Sequence, residues 1–306
     1  MGGIDVVIPC YQYGRFLTES VNSVLSQPVA DLRVLIIDNG STDNSLEVAR
    51  QIANADSRVE VVRYKTNRGQ RAGFNCGIEW ASSEFFMIFD ADDVMAPGCL
   101  SRAIGMLSAD QSIAFAHGKE VETHSPMAVI PKLHRKIQPN NWRVFRGTEF
   151  IHRACKAGNN IIGTTTVVRR TSMQKIIGYY PPQLEHANDL NMWLRLATLG
   201  SVAETTDVQA IRRRHENQVS AFYREKLICT FAEILNCFEH FFMNEGGLIQ
   251  NSQVVRRTAV RKIASNALVA SLKRFLKGRA AEGGELFEFA FSTWRKYGEP
   301  PAFVAY

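Results

Sequence analysis

The stretch FMIFDADDVMAPG, residues 86–98, runs four apolar residues into three carboxylates, Asp90, Asp92 and Asp93, and then into a Pro-Gly pair. Carboxylates this close repel one another unless positive charge lies between them. An Arg or Lys from elsewhere, a metal ion or solvent can supply it. Asp90-x-Asp92 at the end of a buried strand suits Mn²⁺ or Mg²⁺, which would bridge a diphosphate. The dipeptide spacing recurs by chance in many chains, so its weight comes from its position. A separate carboxylate, Asp189, precedes an apolar helical run (Leu190, Met192, Trp193, Leu194, Leu196). Within reach of a hydroxyl it would act as a base; in a helix's first turn it would equally complement the dipole. His215 follows Arg212, Arg213 and Arg214, and that run reads either as part of a site or as an exposed charged strand.

The elements that must position these groups alternate. IDVVI (4–8), stopped by Pro9, LRVLIID (32–38), VEVVRY (59–64), FFMIFD (85–90) and SIAFAHG (112–118) are apolar strand-like runs. Between them lie FLTESVNSVLSQ, SLEVARQIA with Ser41 or Thr42 as its cap, AGFNCGIEWA, and a helix started by Pro97. Strands of this kind alternating with amphipathic helices predict a mainly parallel mixed α/β sheet covered by helices. Ligands of such sheets bind beyond the strands' carboxyl ends. Pro9-Cys10-Tyr11, Asp38-Asn39, Asn67-Arg68-Gly69 and Asp90 to Asp93 all collect there. The first turn, PCYQYGRF, lacks the glycine pattern of a dinucleotide fold, and no P-loop occurs.

With 306 residues, 45% hydrophobic and 22% charged, the chain can bury a large core, and disorder throughout is excluded. A net charge of +6 is too small on this length to point to nucleic acid. Six cysteines without C-x-x-C or zinc spacing read as buried thiols of a reducing compartment. No run reaches the ~18 apolar residues of a membrane span, and a strand begins almost at the first residue. The expected location is cytoplasmic. KLHRKIQPNNWRVFR (132–146) reads as a basic lid or acceptor-side loop. Residues 221–306 read as a helical extension in which Val260, Ile263, Ala264, Ala267, Leu268 and Leu272 share a stripe beside basic pairs. That extension could dock on the domain, join subunits or lie against an anionic membrane.

The runs VVIPCYQYGRFLTESVNSVLSQ, VLIIDNGSTDNS, NRGQRAGFNCGIEWA and FMIFDADD, in that order, resemble the inverting family 2 glycosyltransferases. GTTTVVRRTSMQKIIGYYPP, HANDLNMWLRLATLG and RRRHENQVS continue the similarity to about residue 220. The resemblance implies a GT-A fold over residues 1–220, a nucleotide-sugar donor with UDP expected, and a Mn²⁺ or Mg²⁺ cofactor. It places Pro9 and Tyr11 at the base and Asp38 on the base N–H. Asn67 and Arg68 would lie beside base and diphosphate, and Asp90 at the ribose. Asp92 and His215 fall at the metal, and Asp189 at the acceptor hydroxyl as general base. Acceptors in the family are glycans, lipid-linked oligosaccharides or glycoproteins. Two positions depart from its pattern: Asn39 replaces the second Asp of a pair, and Asn188 replaces a Glu before the base. They leave open an alternative, a catalytically weak nucleotide-sugar-binding or scaffold homologue.

Overall fold

The computed structural model describes residues 2–124, 141–216 and 218–297. The chain packs as two compact units, one drawn from Met1–Phe145, Ile162–Tyr180 and Leu199–His215, the other from Arg146–Ile161, Pro181–Thr198 and Glu216–Tyr306.

In the first unit β1 (Ile4–Cys10), α1 (Gly14–Leu25), β2 (Leu32–Asp38), α2 (Ser45–Ala55), β3 (Val59–Arg63), α3 (Gln70–Trp80) and β4 (Phe85–Ile88) alternate as expected. β5 (Val94–Met95), α4 (Cys99–Ala109), β6 (Ile113–Thr123), β7 (Trp142–Phe145), β8 (Val168–Arg170), α6 (Thr171–Ile177) and β9 (Ser201–Arg213) complete it. Among the described residues these strands form one sheet in the order β3-β2-β1-β4-β8-β6-β9-β5, with β7 paired to β9. The first four strands run parallel, because each helix crosses over before its chain re-enters the sheet. β8 is antiparallel to both β4 and β6. β9 runs parallel to β6 and antiparallel to β5 and β7, so the sheet is mixed, with its longest parallel run in β1 to β4, and is flanked by helices.

Alternation within β1 sends Ile4, Val6 and Ile8 into a core shared with Leu17, Val21 and Val24 of α1 and Leu100, Ile104 and Leu107 of α4. Val7 points to the opposite face, where α3 approaches so closely that a Cβ on Gly77 would lie 2.6 Å from Val7 Cγ1.

Several boundaries differ from the sequence expectation, each for a physical reason. β1 runs through Pro9, which pairs with Ile37, and Cys10, which pairs with Asp38. The Val7 carbonyl accepts from the Phe89 N–H and the Cys10 carbonyl from the Asn39 N–H. Pro9 thus faces the β4 side, where the ladder has already ended at Val7 and Ile88, and its missing N–H breaks no bond. β4 stops at Ile88, two residues before Asp90. α4 begins at Cys99, after Gly98 takes a left-handed φ of 71°. WRVF, expected in a loop, is β7 and runs antiparallel along β9; residues 132–140 of that basic run lie outside the described residues.

The second unit is helical: α5 (Gly147–Ala157), α7 (Asn188–Leu196), α8 (Val219–Glu225), α9 (Leu227–Met243), α10 (Ser252–Leu276) and α11 (Ala280–Tyr297). Trp193 is wholly buried in it. The α10 stripe buries Val260, Ile263, Ala264, Ala267 and Leu268, but Leu272 is left 51% exposed. α10 packs on α11, where the Ser271 hydroxyl donates to the Gly283 carbonyl at 2.6 Å. No helix among the described residues is long and apolar enough to cross a membrane.

Replacing Gly77 with Ala forces α3 away from β1 and should cost about 1–3 kcal/mol, read as a lowered urea midpoint with unchanged slope. An unchanged midpoint would show that the helix–strand contact is slack.

Candidate active site

The polar residues at the carboxyl ends of β1 and β2 are tied to one another. Gln12 holds a positive φ of 61°, uncommon for a residue with a side chain. Its N–H donates to Ser41 Oγ at 3.1 Å, its Nε2 to Thr42 Oγ1 at 2.7 Å, and its Oε1 accepts from the Asp43 N–H at 3.1 Å. Ser41 and Thr42, expected to cap α2, instead accept bonds from the β1–α1 loop. Asp43 Oδ1 accepts from the Ser45 N–H and hydroxyl at that helix's start. Tyr11, one residue before Gln12, is 40% exposed. The ring of Pro9 packs beneath α3, where a Cβ on Gly73 would come within 3.2 Å of it.

Asp38 ends β2 fully buried. Its Oδ1 accepts from the Ser41 N–H at 3.2 Å, while Oδ2 has no hydrogen-bond partner. A buried carboxylate oxygen left without a donor is costly. Asn39 beside it is fully engaged. Its Nδ2 donates to Asn67 Oδ1 at 3.0 Å and to the Gly69 carbonyl at 3.1 Å, and its Oδ1 accepts from the Arg68 N–H at 2.9 Å. The Arg68 guanidinium lies over the Tyr64 ring, 4.6 Å from its centroid.

The carboxylates after β4 meet β9. Asp92 and Asp93 are almost wholly buried and Asp90 partly so. Asp92 Oδ2 lies 3.0 Å from His215 Nε2 across 123 residues of chain. The imidazole is held between Phe16 at 5.0 Å and Tyr13 at 5.5 Å, centroid to centroid. Its Nδ1 is buried without a partner. Arg213, also buried, donates from Nε to the Asp92 carbonyl at 2.7 Å, from its backbone N–H to Asp93 Oδ1 at 2.9 Å, and from Nη2 to Glu19 at 2.7 Å. Its guanidinium lies 4.8 Å from the Phe16 centroid.

The electrostatics follow from this crowding. Burial first, then Asp92 and Asp90, push the Asp93 carboxyl well above the usual range. Burial and the same three aspartates keep the Tyr13 phenol protonated. Burial works against the charge on Arg212, but Glu120, Asp90 and Asp93 outweigh it.

Among the described residues no group of three or more His, Cys, Asp or Glu side chains gathers into a metal cage. The Asp92–His215 pair nonetheless fits a divalent ion. Their facing atoms, Asp92 Oδ2 and His215 Nε2, are 3.0 Å apart, and both are of a type that such an ion would bind. One carboxylate and one imidazole leave the remaining positions to substrate oxygens and water, the usual state of Mg²⁺-type sites that act on phosphates.

A family model described as glycosyl transferase family 2 matches residues 5–177, more than half of the chain. The chain belongs to glycosyl transferase family 2. A relative from Haemophilus influenzae, described as an uncharacterized glycosyltransferase, is 22% identical over 80% of this chain and 76% of its own length. Another uncharacterized glycosyltransferase, from a Nostoc species, is 34% identical over 39% of this chain, which spans only 37% of that relative. Among solved structures, residues 1–349 of TarS from S. aureus match at a TM-score of 0.57 and 18% identity, covering 96% of this chain and 91% of that one. A mannosyltransferase from Pyrobaculum calidifontis, in complex with GDP-Man and Mn²⁺, matches at 0.59 and 16%, covering 97% and 88%. These neighbours share the GT-A fold, so the expected fold is borne out.

The predicted residues of this family 2 domain divide between the two units. Pro9, Tyr11, Asp38, Asn67, Arg68, Asp90, Asp92 and His215 belong to the first. Asp189 belongs to the second, in the first turn of α7, and is partly exposed. Asn188 before it is buried and donates from Nδ2 to the Glu185 carbonyl at 3.1 Å. Both departures from the family pattern therefore use an amide's ability to donate, which a carboxylate lacks. Glu19, Tyr13 and Phe16 were not singled out in the sequence, and Arg213 appeared there only within the basic run before His215. Only the pairing of α1 with the end of β9 reveals them.

Asn39→Asp would set a carboxylate against Asn67 Oδ1 and the Gly69 carbonyl. It should destabilise the first unit by about 1–3 kcal/mol and speed amide exchange of Arg68 and Gly69. Wild-type exchange at those amides would show that the latch does not hold the loop.

Proposed function

We propose that this chain moves a sugar from a nucleotide-diphosphate donor, a UDP-sugar, onto an acceptor hydroxyl with inversion at the anomeric carbon. Residues 1–220 act as the catalytic domain and 221–306 as a helical extension. The observation that carries this reading is the Asp92–His215 contact at the carboxyl edge of the sheet.

Asp38 Oδ2, buried and unpartnered, accepts the base N–H. Tyr11 and Pro9 line the base, Asn67 and Arg68 flank it and the diphosphate, and Asp90 accepts from the ribose hydroxyls. Asp92 and His215 would hold Mn²⁺ or Mg²⁺, which when bound offsets the charge on the departing diphosphate. Asp189 accepts the proton of the acceptor hydroxyl, a role that typically supplies about 100- to 10,000-fold in rate. TarS has been solved with UDP and with UDP-GlcNAc, which supports a nucleotide-sugar donor here. The GDP-Man complex of the Pyrobaculum enzyme makes GDP the second nucleotide to test.

A glycan acceptor is supported by similarity to the chondroitin synthase of Pasteurella multocida, 22% identical over 71% of this chain and 21% of that protein. A lipid-linked form of that glycan would suit the tip of the α10–α11 hairpin. There Leu272 and Leu276 are exposed beside exposed Lys273 and Lys277, a composition suited to an anionic membrane face.

Titration calorimetry of UDP with and without Mn²⁺ should show metal-dependent binding that Asp92→Ala abolishes. Asp189→Asn should bind UDP normally and lose about 100- to 10,000-fold in transfer. Equal binding with and without metal would reject the metal assignment. Binding without turnover of any UDP- or GDP-sugar would favour the non-catalytic homologue.

A further inference from the structure

The loop that leads into Asp189 is held by a carboxylate that lies beyond the stretch matched by the family model. Residues 185–187 precede α7, and their backbone N–H groups have no carbonyl within the helix to reach. Glu233, on α9, fills that position. Its Oε2 accepts from the Glu185 N–H at 3.1 Å and the His186 N–H at 3.0 Å, with the Ala187 N–H at 3.5 Å. Successive N–H groups converging on one anion form a nest. Charge-assisted bonds of this kind are roughly twice as strong as neutral ones, and the negative charge also complements the N-terminal end of the α7 dipole.

Three further contacts fix the same loop. The His186 ring stacks on Tyr223 of α8, with centroids 3.7 Å apart and planes within 5°. Asn236, three residues along α9 from Glu233, donates from Nδ2 to the Gln183 carbonyl at 3.1 Å. Asn188 ties back to the Glu185 carbonyl. Glu233 and Asn236 are spaced to share one face of α9, so one helix grips the loop at both ends. All of these residues lie in the second unit.

We propose that Glu233 is a positioning residue for Asp189: its carboxylate orders the 185–187 backbone and thereby fixes where the first turn of α7 presents the base. This inference rests on the glycosyltransferase reading only for the role of Asp189. The clamp itself stands on the geometry. A helix outside the matched stretch would then contribute to turnover without touching the substrate.

The test compares Glu233→Ala and Glu233→Gln with the wild-type protein. Hydrogen exchange should show the amides of residues 185–187 opening faster in Glu233→Ala and partly protected again in Glu233→Gln. UDP affinity in the presence of Mn²⁺ should match wild type in both. If Asp189 is the base, kcat should fall roughly 10- to 100-fold in Glu233→Ala at unchanged donor KM, with partial recovery in Glu233→Gln. Wild-type exchange at 185–187 in Glu233→Ala would overturn the clamp, whatever the activity. Faster exchange with unchanged kcat would overturn the positioning role. Loss of UDP affinity in both variants would show that Glu233 supports the fold at large, and would also overturn it. If the wild-type protein transfers no sugar, or Asp189→Asn transfers as fast as wild type, the failure lies with the base assignment, and the exchange data still decide the clamp.

Discussion

Three carboxylates within four residues, two of them almost wholly buried, set the constraint around which the first unit is organised. Burial first, and then the like charges of Asp92 and Asp90, push the Asp93 carboxyl up. What keeps the cluster in place is the far end of β9. Arg213 bonds the Asp92 carbonyl, the Asp93 carboxylate and Glu19, while His215 meets Asp92. α1 closes the arrangement, with Phe16 against both Arg213 and His215. A buried ion network of this kind is weak evidence for stability. What it does fix is the approach of Asp92 Oδ2 to His215 Nε2, at 3.0 Å.

The same economy of polar groups runs along the rest of the carboxyl edge. The β1–α1 and β2–α2 loops exchange side-chain bonds through Gln12, Ser41, Thr42 and Asp43. Asn39 does the same for the loop after β3. Asp38 is the exception, with one buried oxygen unpartnered among neighbours that are bonded. A buried acceptor left unmet in such a frame would be satisfied by a ligand that brings a donor.

Much of this was legible in the sequence. Near-continuous apolar strands with intervening amphipathic helices fixed the parallel core, and the polar residues just after each strand marked the edge where the site lies. Pro9 was misread as a strand stop because its tolerance depends on β4 ending early, a fact of pairing and not of propensity. WRVF looked like loop because it falls near the end of a basic run interleaved with aromatics, which carries no signal of the partner, β9, that makes it a strand. Arg213 and Glu19 lie 194 residues apart, and Glu233 meets its loop across 47 or 48 residues. No local pattern reports such contacts. Asn39 and Asn188 read as losses of charge; in the fold they are gains of a donor.

Under the proposed function, Asp92 and His215 jointly hold a divalent cation when the nucleotide is present. The most direct measurement is electron-nuclear double resonance of Mn²⁺ bound to the protein with UDP, in wild type and in His215→Gln. A nitrogen hyperfine coupling in wild type that disappears in the variant is the predicted result. Bound Mn²⁺ without nitrogen coupling, or a coupling that survives the substitution, would contradict the account.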